Sequence, residues 1–338
     1  MKKGASIKTI AEVCKVSPMT VSRALRNNSS VRESTRLRIV ETAEQLGYVG
    51  SSRMGRPALI NNKRSSQVEV IIGVAGEDIT TFHGKLLAVI EQRLALEGCD
   101  CIVRICSRSY EQFLVLQENV RNSTASATLL IGDIPVEYLR ALLDVLPDAI
   151  LVDSPECVGL EMPYESFSFD NVQAAKIGVS HLLDSGREDV LLLTGFSEHF
   201  FSRDIIQGYQ EILAIRGITV NDKLIRYADF TPAGAYQVMQ QLLAEKIKFD
   251  AVFTSDEMAS GIYRALSEHG LNIPDDIAIC GCDGLPLGTH LLPQLTTVML
   301  DYEALGHRAI AYLLHERSKD HARSRVRLLP HLELRESS

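Results

Sequence analysis

The stretch from residue 7 to residue 26 constrains the fold more than any other segment, because it reads as two short helices joined by a tight turn. Ser17 offers a side-chain oxygen that can cap the second helix, and Pro18 takes the first helical position, where its missing N–H costs nothing. This spacing is compatible with a plain surface hairpin and with a DNA-binding domain. The apolar face of the first helix is predicted by four residues at helical spacing: Ile7, Ile10, Ala11 and Cys14.

The second helix favours the DNA-binding interpretation, because its first turns carry groups that read base edges. Methyl, hydroxyl and guanidinium groups on such a helix suit the major groove of DNA. We expect Arg23 to donate to a guanine edge and Met19 to pack on a thymine methyl. The residues expected to contact DNA from this region are Ser17, Met19, Thr20, Ser22, Arg23 and Arg26.

A third helix follows, with Ile39, Ala43 and Leu46 on one side and an end at Gly47. The ordered motifs of residues 6–48 are Ile-x-x-Ile-Ala, Val-Ser-x-x-Thr-Val-Ser-Arg-x-Leu, Thr-Arg-x-x-Ile and Leu-Gly-Tyr. They resemble the headpiece of the lactose-repressor and galactose-repressor family of bacterial transcription regulators, and the resemblance extends along nearly the whole chain. It implies an all-α helix-turn-helix headpiece and an α/β periplasmic-binding-protein-like body with two doubly wound parallel-sheet subdomains.

The charge distribution agrees with two separate modules. Residues 1–66 carry 13 Lys and Arg against 4 Asp and Glu, whereas residues 67–338 carry 22 against 39. A basic head on an acidic body is typical of a DNA-binding module attached to a regulatory one. The sequence has no apolar run long enough to span a membrane and no signal-peptide pattern, so we expect a cytoplasmic, nucleoid-associated protein without membrane contact.

Alternating strands and helices after residue 67 predict parallel sheets covered on both faces. The apolar runs fall in two successive sets, near 68–74, 101–106, 127–131 and 149–152, and near 189–193, 223–227, 250–253 and 277–280. A last helix is predicted over 302–316. We therefore expect a headpiece at 1–50, a linker at 51–66 and a body at 67–338, the body comprising subdomains 67–167 plus 298–323 and 168–297 plus 324–338.

A ligand site is expected beyond the carboxyl ends of the strands, where the two sheets face each other. Carboxylates there accept hydrogen bonds from hydroxyls, Arg binds carboxylate or phosphate, and rings pack on apolar faces. For each Asp the alternative role is capping of the following helix. The residues after the strands, narrowed by the family resemblance, give eight expected effector contacts: Phe82, His83, Asp153, Asp170, Arg203, Phe230, Ser255 and Asp283.

The effector expected from the resemblance is a sugar, a sugar acid or a similar small molecule, and two segments resemble gluconate-type regulators. Two positions depart from the family pattern. Ile205 stands where many members have Arg, and Ser255 stands where Asn is common. The family also implies a homodimer on a palindromic operator. The sequence has no C-terminal leucine heptad, so we expect no tetramer.

The linker departs most from the family pattern. Relatives usually have a short hinge helix whose Leu wedges into the minor groove, but Pro57 stands at that position here, after a Gly50-Ser51 start. Gly-Arg-Pro at 55–57 resembles an AT-hook core, which lies extended in a narrow A·T-rich minor groove. We expect Arg53 and Arg56 to contact DNA. A flexible linker that only attracts phosphates and a shifted hinge helix with Leu59 as its wedge are the alternatives.

Other classes of function are less consistent with the sequence. It has no G-x-G-x-x-G after the first strand, no G-x-x-x-x-G-K-[ST] and no evident Ser/His/Asp set, so we expect no enzyme activity. A sugar-binding transport protein shares the paired α/β architecture and is the alternative, but the basic headpiece argues against it. The seven cysteines include two Cys-x-Cys pairs, at 99/101 and 280/282, without a zinc ligand set. We expect no metal, cofactor or disulfide.

Overall fold

The computed structural model describes residues 7–25, 35, 38–39, 42–43, 66–76, 79–155, 164–316 and 323–338. The chain divides into two compact units, residues 1–65 and residues 66–338. In the described residues no helix has the length and apolar character needed to cross a bilayer.

The first unit contains the predicted helical hairpin, with α1 at Ile7–Val13 and α2 at Pro18–Leu25. The Thr20 amide donates to Ser17 Oγ at 3.0 Å, so the predicted helix cap is confirmed. The described positions of the third helix between residues 35 and 43 are helical. Its Leu46 and Gly47 lie outside the described residues. The small core of this unit is formed by Ile10, Ala11, Cys14, Val21, Ala24, Ile39 and Ala43.

The second unit is built from two six-stranded sheets. The first sheet has the order β11-β5-β4-β3-β1-β2, and all of its strands are parallel. Its strands are β1 Ser66–Gly73, β2 Cys99–Cys106, β3 Ala127–Gly132, β4 Ile150–Val152, β5 Glu165–Phe169 and β11 Arg325–Leu328. Its helices are α3 Thr81–Leu96, α4 Tyr110–Arg121, α5 Val136–Val145 and α10 Tyr302–Ala311, the last followed by a π-helical turn at Tyr312–Glu316.

The second sheet has the order β12-β10-β9-β8-β6-β7, and only the β10–β12 pair is antiparallel. Its strands are β6 Val190–Thr194, β7 Ile225–Tyr227, β8 Ala251–Phe253, β9 Ala278–Asp283, β10 Thr296–Met299 and β12 His331–Glu333. Its helices are α6 Asn171–Asp184, α7 Phe200–Ile215, α8 Pro232–Ala244 and α9 Asp256–Glu268, with 3₁₀ turns at Asp222–Leu224 and Pro286–Thr289.

Each sheet is buried between two layers of helices, which explains why its strands read as near-continuous apolar runs. In β1, Val70 and Ile72 face the cluster beneath α3 and α10, whereas Ile71 faces the cluster beneath α4 and α5. The second sheet divides its side chains in the same way between α6–α7 and α8–α9. The two predicted doubly wound subdomains are therefore present.

The expected subdomain boundaries need correction. Strand β5 was not predicted, and its pairing with β4 places Phe169 in the first sheet. Strand β10 keeps Val298 and Met299 in the second sheet. Strand β11 pairs with β5, so residues 325–328 belong to the first subdomain rather than the second. The short strands at these crossings are hard to assign from sequence, because pairing partners far along the chain determine their sheet.

The cysteine pairs lie in strands, as their spacing suggested. Cys280 and Cys282 are buried in β9, while Cys99 and Cys101 are half-buried in the edge strand β2. In the part of the chain that the structure describes, no group of His, Cys, Asp or Glu could hold a metal ion.

Candidate functional site

The second helix of the headpiece presents an exposed apolar side chain among hydroxyls. Met19 is 63% exposed, although a methionine of this size is normally buried. Ser17 Oγ lies 2.8 Å from Thr20 Oγ1, so these two hydroxyls meet at the start of the helix. The side chains of Ser22 and Arg23 are not among those that the structure describes, and Arg26, Arg53 and Arg56 lie outside the described residues.

A cleft of about 590 Å³, including space open to solvent, lies where the carboxyl ends of the strands in the two sheets face each other. Open α/β folds place ligand pockets at this position. Six of the eight expected effector contacts line it: Phe82, His83, Asp153, Phe230, Ser255 and Asp283. The structure thus brings together residues that lie at or just beyond the carboxyl ends of five separate strands.

Asp170 and Arg203 are not among the lining residues, and each has another role. Asp170 caps α6, where its Oδ1 accepts from the Gln173 amide at 2.9 Å. Arg203 is exposed on α7 and donates to the Glu198 carbonyl oxygen at 3.1 Å. Capping of the following helix was the alternative role for each expected Asp, and Asp170 has this role in the structure. Ile205, at the position where many family members have Arg, is buried in the core of the second subdomain.

Seven further lining residues were not among the eight expected contacts, although five of them lie in segments that the sequence indicated, at 78–83, 169–175 and 194–203: Thr80, Gly132, Asn171, His199, Phe200, Phe201 and Glu257. All of them lie at strand ends or in the first turn of a helix, the same positions that supplied the expected contacts. Those at 199–201 lie in the connection after β6, where the aromatic run Phe200-Phe201 was a usable signal.

Three lining residues adopt backbone angles that L-amino acids rarely take. The φ angles are +43° for Asp153, +63° for Phe230 and +117° for Asp283. They account for three of the five non-glycine residues with positive φ in the described part of the chain. Such conformations persist only where the surrounding structure enforces them, and they cluster at binding sites.

One end of the cleft, which we call the carboxyl end, is formed by Asp153, Asp283, Glu257 and Ser255. Burial raises the pKa of Asp153 to about 7, against the effect of the Phe169 amide that donates to it. Burial also raises the pKa of Asp283 far above its usual range, and the charges of Asp256 and Asp153 add to this effect. The hydroxyl of Ser255 is buried, has no hydrogen-bond partner among the described residues and does not cap α9, although Ser255 stands at the cap position.

The other end, which we call the aromatic end, is formed by Phe200, Phe201, Phe230, His199 and His83. The Phe230 ring lies against Gly195, where any Cβ would come within 2.1 Å of the ring. This ring also meets His199 edge-to-face, at 4.8 Å between centroids. Glycine at position 195 is therefore required for Phe230 to reach the cleft.

Both histidines of the aromatic end are neutral. Burial lowers the pKa of His83 to about 4, with a smaller contribution from His199. It lowers the pKa of His199 to about 3, with contributions from Arg108 and Arg203. His83 Nδ1 accepts from the Thr80 amide, and His199 Nδ1 accepts from the Phe201 amide at 3.1 Å. A neutral imidazole that accepts at Nδ1 carries its proton on Nε2, so both rings offer an N–H donor there.

None of the described residues that line the cleft is Lys or Arg. The nearby cations are engaged elsewhere. Arg108 pairs with Asp133, and Arg203 donates to the backbone. The ammonium of Lys85 donates to the Gly284 carbonyl oxygen at 2.8 Å and lies 4.1 Å from the centre of the Tyr302 ring. The chemistry of the lining is therefore that of carboxyl groups, neutral donors and rings.

Comparison with known proteins agrees with both units. Residues 6–51 match the family described as bacterial regulatory proteins, lacI family, and residues 179–338 match a periplasmic binding protein-like domain. Catabolite control protein A of Priestia megaterium is 29% identical and covers 98% of this chain and 99% of its own length. The HTH-type transcriptional repressor CytR of Escherichia coli is also 29% identical, covering 96% of this chain and 93% of its own.

Solved structures show the same fold. The lac repressor dimer bound to operator and the anti-inducer ONPF has a TM-score of 0.72 and 23% identity, with 99% of each chain covered. A complex of the transcriptional regulator CelR with cellobiose has a TM-score of 0.72 and 22% identity, covering 99% of this chain and 100% of its own. The transport-type alternative is not favoured, because the headpiece matches a regulator family and the relatives are regulators. The chain therefore has a lacI-family helix-turn-helix domain and a periplasmic-binding-protein-like domain, and the relatives it resembles along nearly its whole length are LacI/GalR family transcription regulators.

Proposed function

We propose that this protein is a homodimeric repressor whose affinity for a near-palindromic operator is controlled by a small molecule bound in the cleft. The buried, unpartnered hydroxyl of Ser255 is the observation that carries the effector half of the proposal. A buried polar group without a partner costs free energy, so such a group in a cleft is an argument for a ligand that satisfies it.

The position of the cleft supports control by a ligand. Asp153 directly follows strand β4 of the first sheet, whereas Ser255 lies just after β8 and Asp283 is the last residue of β9, both in the second sheet. A molecule that contacts all three side chains binds best at one relative position of the two subdomains. It therefore shifts the equilibrium between conformations by its difference in affinity for them, which is the requirement for allosteric control.

An exposed apolar face on the first subdomain supports the homodimer. Strand β2 is at the edge of its sheet and exposes Val103 and Ile105, which are 43% and 41% exposed. The helices on either side of β2 add three more exposed apolar residues: Leu96, Leu114 and Val115. A second copy of the same face would cover these side chains about a twofold axis, as in most soluble homodimers. One headpiece contacts only a few base pairs, so pairing also supplies specificity.

The effector contacts that we propose are the six expected residues in the cleft, with Asn171 and His199 added from the structure. The operator contacts that we propose are those expected on α2, together with Arg53 and Arg56 of the linker. Capping of α6 by Asp170 and the backbone contact of Arg203 favour supporting roles for these two residues.

The test is selection of DNA from a random library by the full-length protein, followed by titration of the selected sequence. We expect a near-palindromic consensus and a change in its affinity on addition of one small molecule. In a matched titration, Ser255→Ala should need about two- to tenfold more of that molecule for the same response. A protein that binds small molecules but selects no DNA consensus would contradict the proposal and restore the transport-type alternative.

A further inference from the structure

Building on the proposed function, we infer that the effector is an uncharged molecule with two unlike ends, a hydroxylated ring carrying a planar aromatic group with hydrogen-bond acceptors. Nucleosides and aryl glycosides share this chemistry. The inference rests on the presence, in one cleft, of a cluster of carboxyl groups and a cluster of aromatic and imidazole rings.

The two ends of the cleft are electrostatically distinct. The pKa of Asp283 at the carboxyl end is perturbed by Asp256, Asp153, Glu257 and Lys85. By contrast, the charges that perturb the pKa of His199 at the aromatic end are those of Arg108, Arg203 and Glu198. No charged residue acts on both Asp283 and His199, so the two ends of the cleft have different charged neighbours.

The carboxyl end is suited to a ligand group rich in hydrogen-bond donors. Asp153 and Asp283 are acceptors when ionised, and the Ser255 hydroxyl can both donate and accept. Adjacent ring hydroxyls can donate to the two carboxylates. A carboxylate or phosphate at this end would lose its hydration without gaining a counter-charge, because no described Lys or Arg lines the cleft.

The aromatic end is suited to a planar ring that carries acceptors. Phe230 meets Phe196 and Phe201 edge-to-face, at 6.0 Å between centroids in both cases, and His199 stacks on Phe200 at 4.9 Å. A planar ligand ring gains from such neighbours. The Nε2–H groups of His83 and His199 are the donors that ring nitrogens or carbonyl oxygens accept from. A plain sugar or sugar acid would leave this end without a partner.

The test uses the full-length protein and matched ligands measured by calorimetry. The neutral two-ended probes are adenosine, cytidine, inosine and uridine as one source, and phenyl β-D-glucopyranoside and phenyl β-D-galactopyranoside as the other. Ribose and the methyl glycosides lack the aromatic group. The nucleoside 5′-monophosphates and phenyl β-D-glucuronide add a negative charge. We expect at least one neutral two-ended probe to bind, with both of its matched partners at least about tenfold weaker.

Substitutions of Phe230 and Asp283 test the aromatic end and the carboxyl end of the cleft separately. Phe230→Leu should weaken the bound probe about five- to tenfold, the size of an aromatic contact, and leave binding of its ring-free partner unchanged. Phe249→Leu is the matched control, because Phe249 packs in the cluster beneath α8 and α9. Phe201→Leu replaces Phe230→Leu if that variant does not fold. Asp283→Ala should weaken the neutral probe and its ring-free partner alike, because both place hydroxyl groups at the carboxyl end.

The outcomes also separate this inference from the proposed function. If the tightest ligand is a monophosphate, a uronide or a ring-free sugar and it changes operator affinity, the inference is wrong and the proposed function stands. If no two-ended probe binds, the inference is likewise wrong. Failure of the protein to select an operator would instead contradict the proposed function itself.

Discussion

Asp153 and Asp283 lie at or just after the carboxyl ends of strands in different sheets, both with positive φ, and the charge of Asp153 raises the pKa of Asp283 across the cleft. Two desolvated carboxyl groups are thus held near each other, and the described lining offers them no Lys or Arg. Such a pair is costly when ionised, and burial accordingly raises the pKa of both carboxyl groups. Hydroxyl groups of a ligand can both donate to and accept from these carboxyl groups.

Stability of the ligand-free protein should depend on pH through Asp153. Burial raises the pKa of this carboxyl to about 7, so the folded protein holds the proton more tightly than the unfolded chain does. The linked stabilisation is fully present below the unfolded-state pKa of about 4 and is lost as pH rises through about 7. We expect the melting temperature to fall between about pH 5 and 8, and Asp153→Asn to reduce that fall.

The matched control for this experiment is Asp100→Asn, which alters an exposed carboxyl on β2. It should keep the wild-type dependence on pH. If Asp153→Asn also keeps the full wild-type fall in melting temperature, Asp153 does not hold a proton in the folded protein at neutral pH.

Ser255→Ala should change stability and effector binding in opposite directions. The hydroxyl of Ser255 is buried without a partner, so its removal should leave the ligand-free protein as stable as before or about 1 kcal/mol more stable. Effector affinity should fall about two- to tenfold, the size of one neutral hydrogen bond. Thermal melts and calorimetry measure the two effects.

Ser154→Ala is the matched control, because the Ser154 hydroxyl is also buried and unpartnered but does not line the cleft. It should show the same effect on stability with unchanged effector affinity. Equal losses of affinity in the two variants would mean that Ser255 acts through packing and does not contact the ligand.

The sequence predicted the fold well because local patterns determine it. The Ser17 cap and the helical spacing of Ile10 and Cys14 are local signals, and the structure confirms both. Strand β5 escaped prediction because its sheet is defined by β4 and β11, which lie far apart from each other in the chain. Local pattern carries no information about such partners.

Part of the site was also predictable from local sequence pattern. Asp153, Ser255 and Asp283 lie at or just after the carboxyl ends of buried strands, so topology alone places them at the cleft. The position of a residue at a strand end does not reveal whether its side chain faces the cleft. Asp170 also follows a strand, but its carboxylate caps α6. His199 was missed because its position depends on a hydrogen bond from the Phe201 amide, which sequence does not show.

Met19→Ala should reduce base discrimination by the headpiece. Met19 is 63% exposed on α2, where an apolar side chain suits contact with a thymine methyl. We expect weaker binding to the selected operator and loss of preference for thymine at one base pair in each half-site. Val13→Ala is the matched control, because Val13 is 57% exposed on α1, outside the recognition helix.

Arg23→Ala should cost about 1–3 kcal/mol of operator binding and relax the preference at one base pair in each half-site, as expected for loss of a guanine contact. Titration of the selected operator and of single-base variants measures both effects. An equal loss on operator and random DNA would assign Arg23 to phosphate contact, since phosphates carry no sequence information.

The linker prediction rests on sequence, because Arg56 lies outside the described residues. If Arg56 enters the minor groove at the operator centre, the wild type should prefer an A·T-rich centre to a G·C-rich one, since narrow A·T-rich grooves attract Arg. Arg56→Ala should abolish that difference. A uniform loss on both operators would indicate phosphate contact and favour Leu59 as the wedge of a shifted hinge helix.

The exposed face of β2 should be the dimer interface. Ile105→Lys would place a charge in the apolar patch of the first subdomain, where burial against a second copy would leave it without a partner. We expect this variant to sediment as a monomer at micromolar concentration and to bind the operator more weakly, since two headpieces no longer act together. Ile215→Lys is the matched control, because Ile215 is 72% exposed at the end of α7 in the second subdomain. A dimer that survives Ile105→Lys but dissociates in Ile215→Lys would move the interface to the second subdomain.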